Sequence, residues 1–98
     1  MRKVVTLCGS FRFWKEIQEV AERLELENGW VVLGPVAHAL DRTLTEHEKA
    51  LLGELHLSKI DMSDAIFVVN VGGYIGEAVT AEIAYAKKKG KEIIYLEN

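Results

Sequence analysis

The chain has 98 residues, enough for one domain with a modest core, and residues 1–98 are expected to fold as a single unit. The net charge is −3 and no basic block precedes Lys87-Lys88-Lys89 and Lys91, so a nucleic-acid partner is not expected. No apolar run approaches the roughly 20 residues of a membrane span, no leader pattern opens the chain, and the lone cysteine, Cys8, allows no intrachain disulfide. A cytoplasmic protein without a membrane partner fits all three features. In chain order, residues 3–8 (KVVTLC) are apolar and β-branched, the mark of a buried strand. Gly9-Ser10 breaks that strand, and Ser10 is a suitable N-cap. Phe13, Ile17, Val20 and Leu24 then recur on one helical face, and Asn28-Gly29 closes the helix.

Residues 30–34 (WVVLG) predict a second short strand, stopped by Pro35. A loop over 35–43 carries His38, Asp41 and Arg42. Thr43 or Thr45 caps a helix running to about Met62, with Leu51, Leu55 and Ile60 as its expected buried side. Asp64 reads as a structural residue at the start of the next strand. Residues 65–71 (AIFVVNV) are nearly all apolar, as in a central parallel strand covered on both faces. A glycine loop, a helix over about 76–89 ended by Gly90, and a last strand over 92–96 complete the chain.

The alternation is βαβαβαβ. It predicts a three-layer α/β fold, flavodoxin/Rossmann-like, with a parallel four-stranded sheet. Ligands bind such sheets at the carboxyl ends of the strands, near the point where strand order reverses. The crevice loops are therefore Gly9–Arg12 and Asn70–Gly76, bordered by the loop at 35–43.

Several motifs bear on chemistry. In CGSFR, residues 8–12, a cysteine precedes an arginine, but the loop between them is too short for a cysteine-based phosphatase. Cys8 reads as a small apolar filler at the end of a strand. Gly9-Ser10 opens a helix whose free N–H groups and dipole suit an anion, and Arg12, one turn in, is placed to clamp a phosphate. The alternative is an ordinary cap and a solvated arginine. His47 and His56 fall on opposite faces of their helix and His38 has no partner at ligand spacing, so the histidines do not make a metal site. GGYIG, residues 72–76, lacks the dinucleotide fingerprint. No cofactor is expected.

Two glutamates follow the glycine loop. Glu77 lies in the first helical turn, where the dipole favours a carboxylate for structural reasons. Glu82 flanks the stripe Val79, Ile83 and Ala86 and sits above Ala78, so small side chains leave room before it. The pattern leaves open whether Glu82 is a surface charge or a carboxylate facing a substrate.

The chain as a whole resembles the nucleoside 2-deoxyribosyltransferase superfamily. The resemblance lies in TLCGSFR at 6–12, SDAIFVVNV at 63–71 and GYIGEAVTAEIAYAKKKGK at 73–91, with Glu82-Ile83-Ala84-Tyr85-Ala86 matching the family's glutamate signature. The first loop also looks like that of the deoxynucleoside 5'-monophosphate N-glycosidase branch. The resemblance implies cleavage or transfer at the N-glycosidic bond of a 2'-deoxynucleoside or its 5'-monophosphate. It makes Glu82 the nucleophile. Gly9, Ser10 and Arg12 would meet the sugar or phosphate end, Gly76 and Thr80 the sugar, and Asn70 opens the same crevice loop. Relatives carry an aspartate where this chain has His56, which makes His56 the candidate acid and Asp61 a nearby second candidate. The partner is then a small deoxynucleoside or deoxynucleotide. A homodimer is expected, with Trp14, Leu51 and Leu57 as candidate contacts. The rival readings are a catalytically silent nucleotide-binding module of the same fold and a structural domain that dimerises through its helices.

Overall fold

A computed structural model describes residues 1–36 and 43–98. His38, Asp41 and Arg42 lie outside the described residues. The strands are β1 (Val4–Cys8), β2 (Val31–Leu33), β3 (Ala65–Val68) and β4 (Glu92–Tyr95). The helices are α1 (Trp14–Asn28), α2 (Glu46–Asp61) and α3 (Glu77–Lys88). The strands form one parallel sheet in the order β2-β1-β3-β4. This is the doubly wound α/β arrangement with flavodoxin-like strand order, and the switch point falls between β1 and β3.

Side-chain alternation divides the sheet between two cores. Val5, Leu7, Ala65, Phe67 and Val69 point to one face, where Ile17, Val20 and Leu24 of α1 cover them. Cys8, Ile66 and Val68 point to the other, under Ile60 of α2 and Val79, Ile83 and Ala86 of α3. The period of two along each strand meets the period of 3.6 along each helix, so both faces of the sheet are closed. Among the described residues no helix is long and apolar enough to cross a membrane.

Local chemistry sets the boundaries. Ser10 does cap a helical turn, but a 3-10 turn over Phe11–Phe13, with its hydroxyl accepting from Arg12 N–H at 3.4 Å; α1 starts only at Trp14. Gly29 ends α1 at φ 67°, a left-handed geometry that suits glycine. Thr45, not Thr43, caps α2 through a capping box with Glu48. β3 leaves the ladder at Val68, earlier than the apolar run suggests. Val69 and Asn70 remain buried, while Val71–Gly73 turns away as a second 3-10 turn.

One expectation is corrected. Leu51 and Leu55 are 45% and 47% exposed, and of the expected buried side of α2 only Ile60 is in the core. The carboxyl end of α2 is pinned to the sheet, where the Thr6 hydroxyl donates to Lys59 O and lies 2.5 Å from Ser63 Oγ. Asp64 is structural, accepting from Val4 N–H at 2.8 Å. Toward its amino end α2 carries cavity-lining residues instead of core. Of the expected dimer contacts, Leu51 is exposed, Trp14 is half-buried against Phe11, and Leu57 packs on the second core.

Candidate active site

A cavity of about 550 Å³ opens at the carboxyl ends of β1 and β3. That size suits a small organic ligand. Three walls form it: Gly9, Ser10 and Phe11 after β1, the α2 face bearing Lys49, Leu52, His56 and Lys59, and the start of α3 with Gly76, Ala78 and Glu82. Pro35 and Val36, after β2, border it as well. The cavity therefore lies at the switch point, as expected from the connectivity.

Glu82 faces this cavity from α3 with its side chain 21% exposed, and His56 reaches in from α2 at 13%. His56 Nε2 lies 3.5 Å from Glu82 Oε1 and 3.4 Å from Cys8 Sγ. Burial pushes the Cys8 thiol well above its ordinary range, and the charge of the neighbouring Glu82 carboxylate pushes it further. Cys8 is thus a buried thiol beneath the His56–Glu82 pair. It is the small buried filler expected, and it also contacts His56 and lies within 4.8 Å of the Glu82 carboxylate.

The other expected site residues divide into two groups. Gly9, Ser10 and Gly76 line the cavity. At Gly9 a Cβ would come within 3.2 Å of the Val69 Cβ and carbonyl oxygen and 3.3 Å of Ile17 Cδ1, so a larger residue there would crowd this loop against the sheet. The remaining four do not line the cavity. Arg12 lays its guanidinium over the Tyr74 ring, 4.0 Å from its centroid. Tyr74 does line the cavity and meets Phe13 edge-on, so Arg12 braces the rim and ties the two crevice loops together. Asn70 is buried, with both ends of its amide bonded to the Glu97 backbone. Thr80 returns its hydroxyl to Gly76 O at 2.9 Å. Asp61, the second acid candidate, lies at the far end of α2, where its carboxylate accepts from Tyr85 Oη at 2.8 Å. The rise along α2 explains that separation: five residues beyond His56 is more than a turn toward the sheet's other end.

Sequence reasoning missed Lys49, Leu52 and Lys59. Their spacing with His56 places all four on one helical face, and that face looks into the cavity. Lys59 donates to Gly34 O at 2.7 Å, which fixes its ammonium on the wall after β2. The glycine loop needs its composition for geometric reasons, since Gly72 and Gly73 take φ of 64° and 82°.

No protein-family model matches the chain, and no curated protein matches it by sequence. Its structure is similar to that of a 2-deoxyribosyltransferase from the psychrotolerant bacterium Bacillus psychrosaccharolyticus, with a TM-score of 0.70 and 18% identity. The similarity covers 94% of this chain and 70% of the other. At that identity it establishes a common fold.

Proposed function

We propose that the protein cleaves or transfers at the N-glycosidic bond of 2'-deoxynucleosides or their 5'-monophosphates. The observation that carries this reading is the Glu82 carboxylate, held partly exposed in a cavity of nucleoside size with His56 3.5 Å away. The fold shared with a 2-deoxyribosyltransferase supports it at the level of architecture.

The chemistry follows from the charge that develops. Loss of a base from deoxyribose passes through an oxocarbenium-like state, which an anionic carboxylate stabilises and then captures. Glu82 Oε1 attacks the anomeric carbon, the C–N bond breaks, and its electron pair leaves with the base. His56 supplies the proton that the departing base nitrogen needs. Water, or the ring N–H of a second base, then attacks the anomeric carbon, its proton passes back to His56, and the sugar–carboxylate bond breaks to free Glu82. The Tyr74 and Phe11 rings on the cavity wall offer apolar surface to the base.

The same reading takes the protein as a cytoplasmic homodimer, with Trp14, Leu51 and Leu57 as candidate contacts, of which Leu51 is exposed; a monomer throughout the micromolar range in sedimentation would remove the dimer.

The decisive test is Glu82→Gln with a panel of deoxynucleosides and deoxynucleotides, with and without an acceptor base. Base release should fall by about 10⁴-fold or more while ligands still raise the melting temperature. A wild-type protein that releases no base from any of them, yet is stabilised by them, is a binding module and not an enzyme.

A further inference from the structure

The geometry points to a binding site for a borderline divalent transition metal ion, Zn²⁺ or Co²⁺, formed by Cys8 Sγ, His56 Nε2 and Glu82 Oε1. These three donor atoms come from β1, α2 and α3, and all lie within 4.8 Å of one another. Sulfur to nitrogen is 3.4 Å and nitrogen to oxygen 3.5 Å. Metal bonds of about 2.0 Å to nitrogen or oxygen and about 2.3 Å to sulfur place neighbouring donors about 3.3–3.6 Å apart around a tetrahedral ion. These two edges match that figure, and the third, sulfur to oxygen, lies within 4.8 Å.

The donor set is chemically selective. One thiolate, one imidazole and one carboxylate suit zinc, cobalt or copper and disfavour magnesium and calcium, which require oxygen ligands. Three protein ligands leave a fourth position, and here the open side is the cavity, where water completes the shell. On the core side the surroundings are apolar: Val68, Val79 and Ile83 pack in the same core as Cys8. That shell limits the other donors an ion would meet.

Binding is balanced by a proton. The neutral Cys8 thiol transfers its hydrogen to solvent as the sulfur–metal bond forms, so one proton is released per ion bound. The site stands without the glycosidase reading, because it depends only on the three donors. If that reading holds, the ion occupies the same Glu82 oxygen that would attack the sugar, and loading stops base release.

The test is a Co²⁺ titration of the untagged, reduced chain followed by absorbance. One equivalent is expected to produce a thiolate-to-metal charge-transfer band together with d–d bands of four-coordinate intensity, and Zn²⁺ should displace both. Cys8→Ser should abolish the charge-transfer band. Glu82→Gln, which leaves the buried thiol and imidazole in place, should keep that band but weaken affinity by more than the roughly 10- to 100-fold typical of second-shell changes. Absence of saturable binding at millimolar Co²⁺ would overturn the site. So would binding of equal strength in both variants, which would place the ion elsewhere on the chain. Because Glu82→Gln changes only a cavity-facing side chain, it serves even if Cys8→Ser fails to fold.

Discussion

His56 and Glu82 meet across the cavity, Nε2 to Oε1 at 3.5 Å, although they stand on different helices. Neither helix alone creates the pair. It exists because α2 is tied to β1 through Thr6 and because α3 lays Val79 and Ile83 on the same sheet face. A histidine beside a carboxylate can hold a proton for delivery while the carboxylate stays available as a nucleophile.

His56→Gln should therefore lower base release by about 10²- to 10⁴-fold on natural substrates. A deoxyriboside whose leaving group departs as a stable anion needs no protonation and should lose far less. Comparing the two substrates separates proton donation from positioning: an equal loss on both would make His56 a structural neighbour of Glu82.

The Cys8 thiol gives a pH dependence whose sign is fixed. Its ordinary value is 9.0, and burial raises it in the folded protein. Above pH 9 the unfolded chain releases this proton while the native state keeps it. The Cys8 contribution is thus fully present below pH 9 and declines as pH rises toward the native value, by about 1.4 kcal/mol per pH unit. Tyr85, whose hydrogen bond to Asp61 also raises it, acts in the same direction. Urea unfolding at pH 8 and pH 10 should show a smaller alkaline loss in Cys8→Ala than in wild type. Parallel slopes would mean that the thiol ionises in the folded state.

The positions of the four strands, the stops at Gly29 and Gly90 and a threonine cap at 43 or 45 were legible in the sequence because each rests on a local rule. The parallel sheet followed from alternation alone. The face of α2 was not legible. His56 and Lys59 line the cavity half-buried, whereas Leu51 and Leu55, apolar residues expected on the buried side, are exposed. An inward polar face marks a site, and periodicity rules assume that inward means apolar. Cys8 is the small buried core residue expected at the end of β1, but its place in the site was not legible. Its contact with His56 spans 48 residues of sequence, and no spacing motif records it. Glu82 was visible as a candidate through the alanines around it, but its partner was visible only through the family resemblance.

Gly9→Ala should destabilise the fold by about 1–3 kcal/mol, the usual cost of overpacking. The new methyl would lie 3.2 Å from the Val69 carbonyl oxygen, a backbone atom that cannot rotate away. Since Ser10 and Phe11 follow directly in the cavity wall, ligand affinity should fall together with stability. Denaturant titration and ligand-induced melting shifts read the two effects; a variant as stable as wild type would mean that the loop has room to retreat.

Asn70→Ala separates a structural reading of that residue from a substrate-binding one. The Asn70 side chain donates to Glu97 O at 2.8 Å and accepts from Glu97 N–H at 2.9 Å, so its amide is satisfied without a ligand. Glu97 also accepts from Gly72 N–H, which joins the strand end to the glycine loop. Removing the buried amide breaks both hydrogen bonds to Glu97, an exposed residue that water can then solvate, at a cost of about 0.5–1.5 kcal/mol per bond. The expected result is a lower melting temperature with KM for deoxynucleotides changed less than about twofold, because 1.4 kcal/mol of lost substrate binding would already raise it tenfold. A large rise in KM at unchanged stability would return Asn70 to the substrate and would mean that the Glu97 segment moves aside when ligand enters.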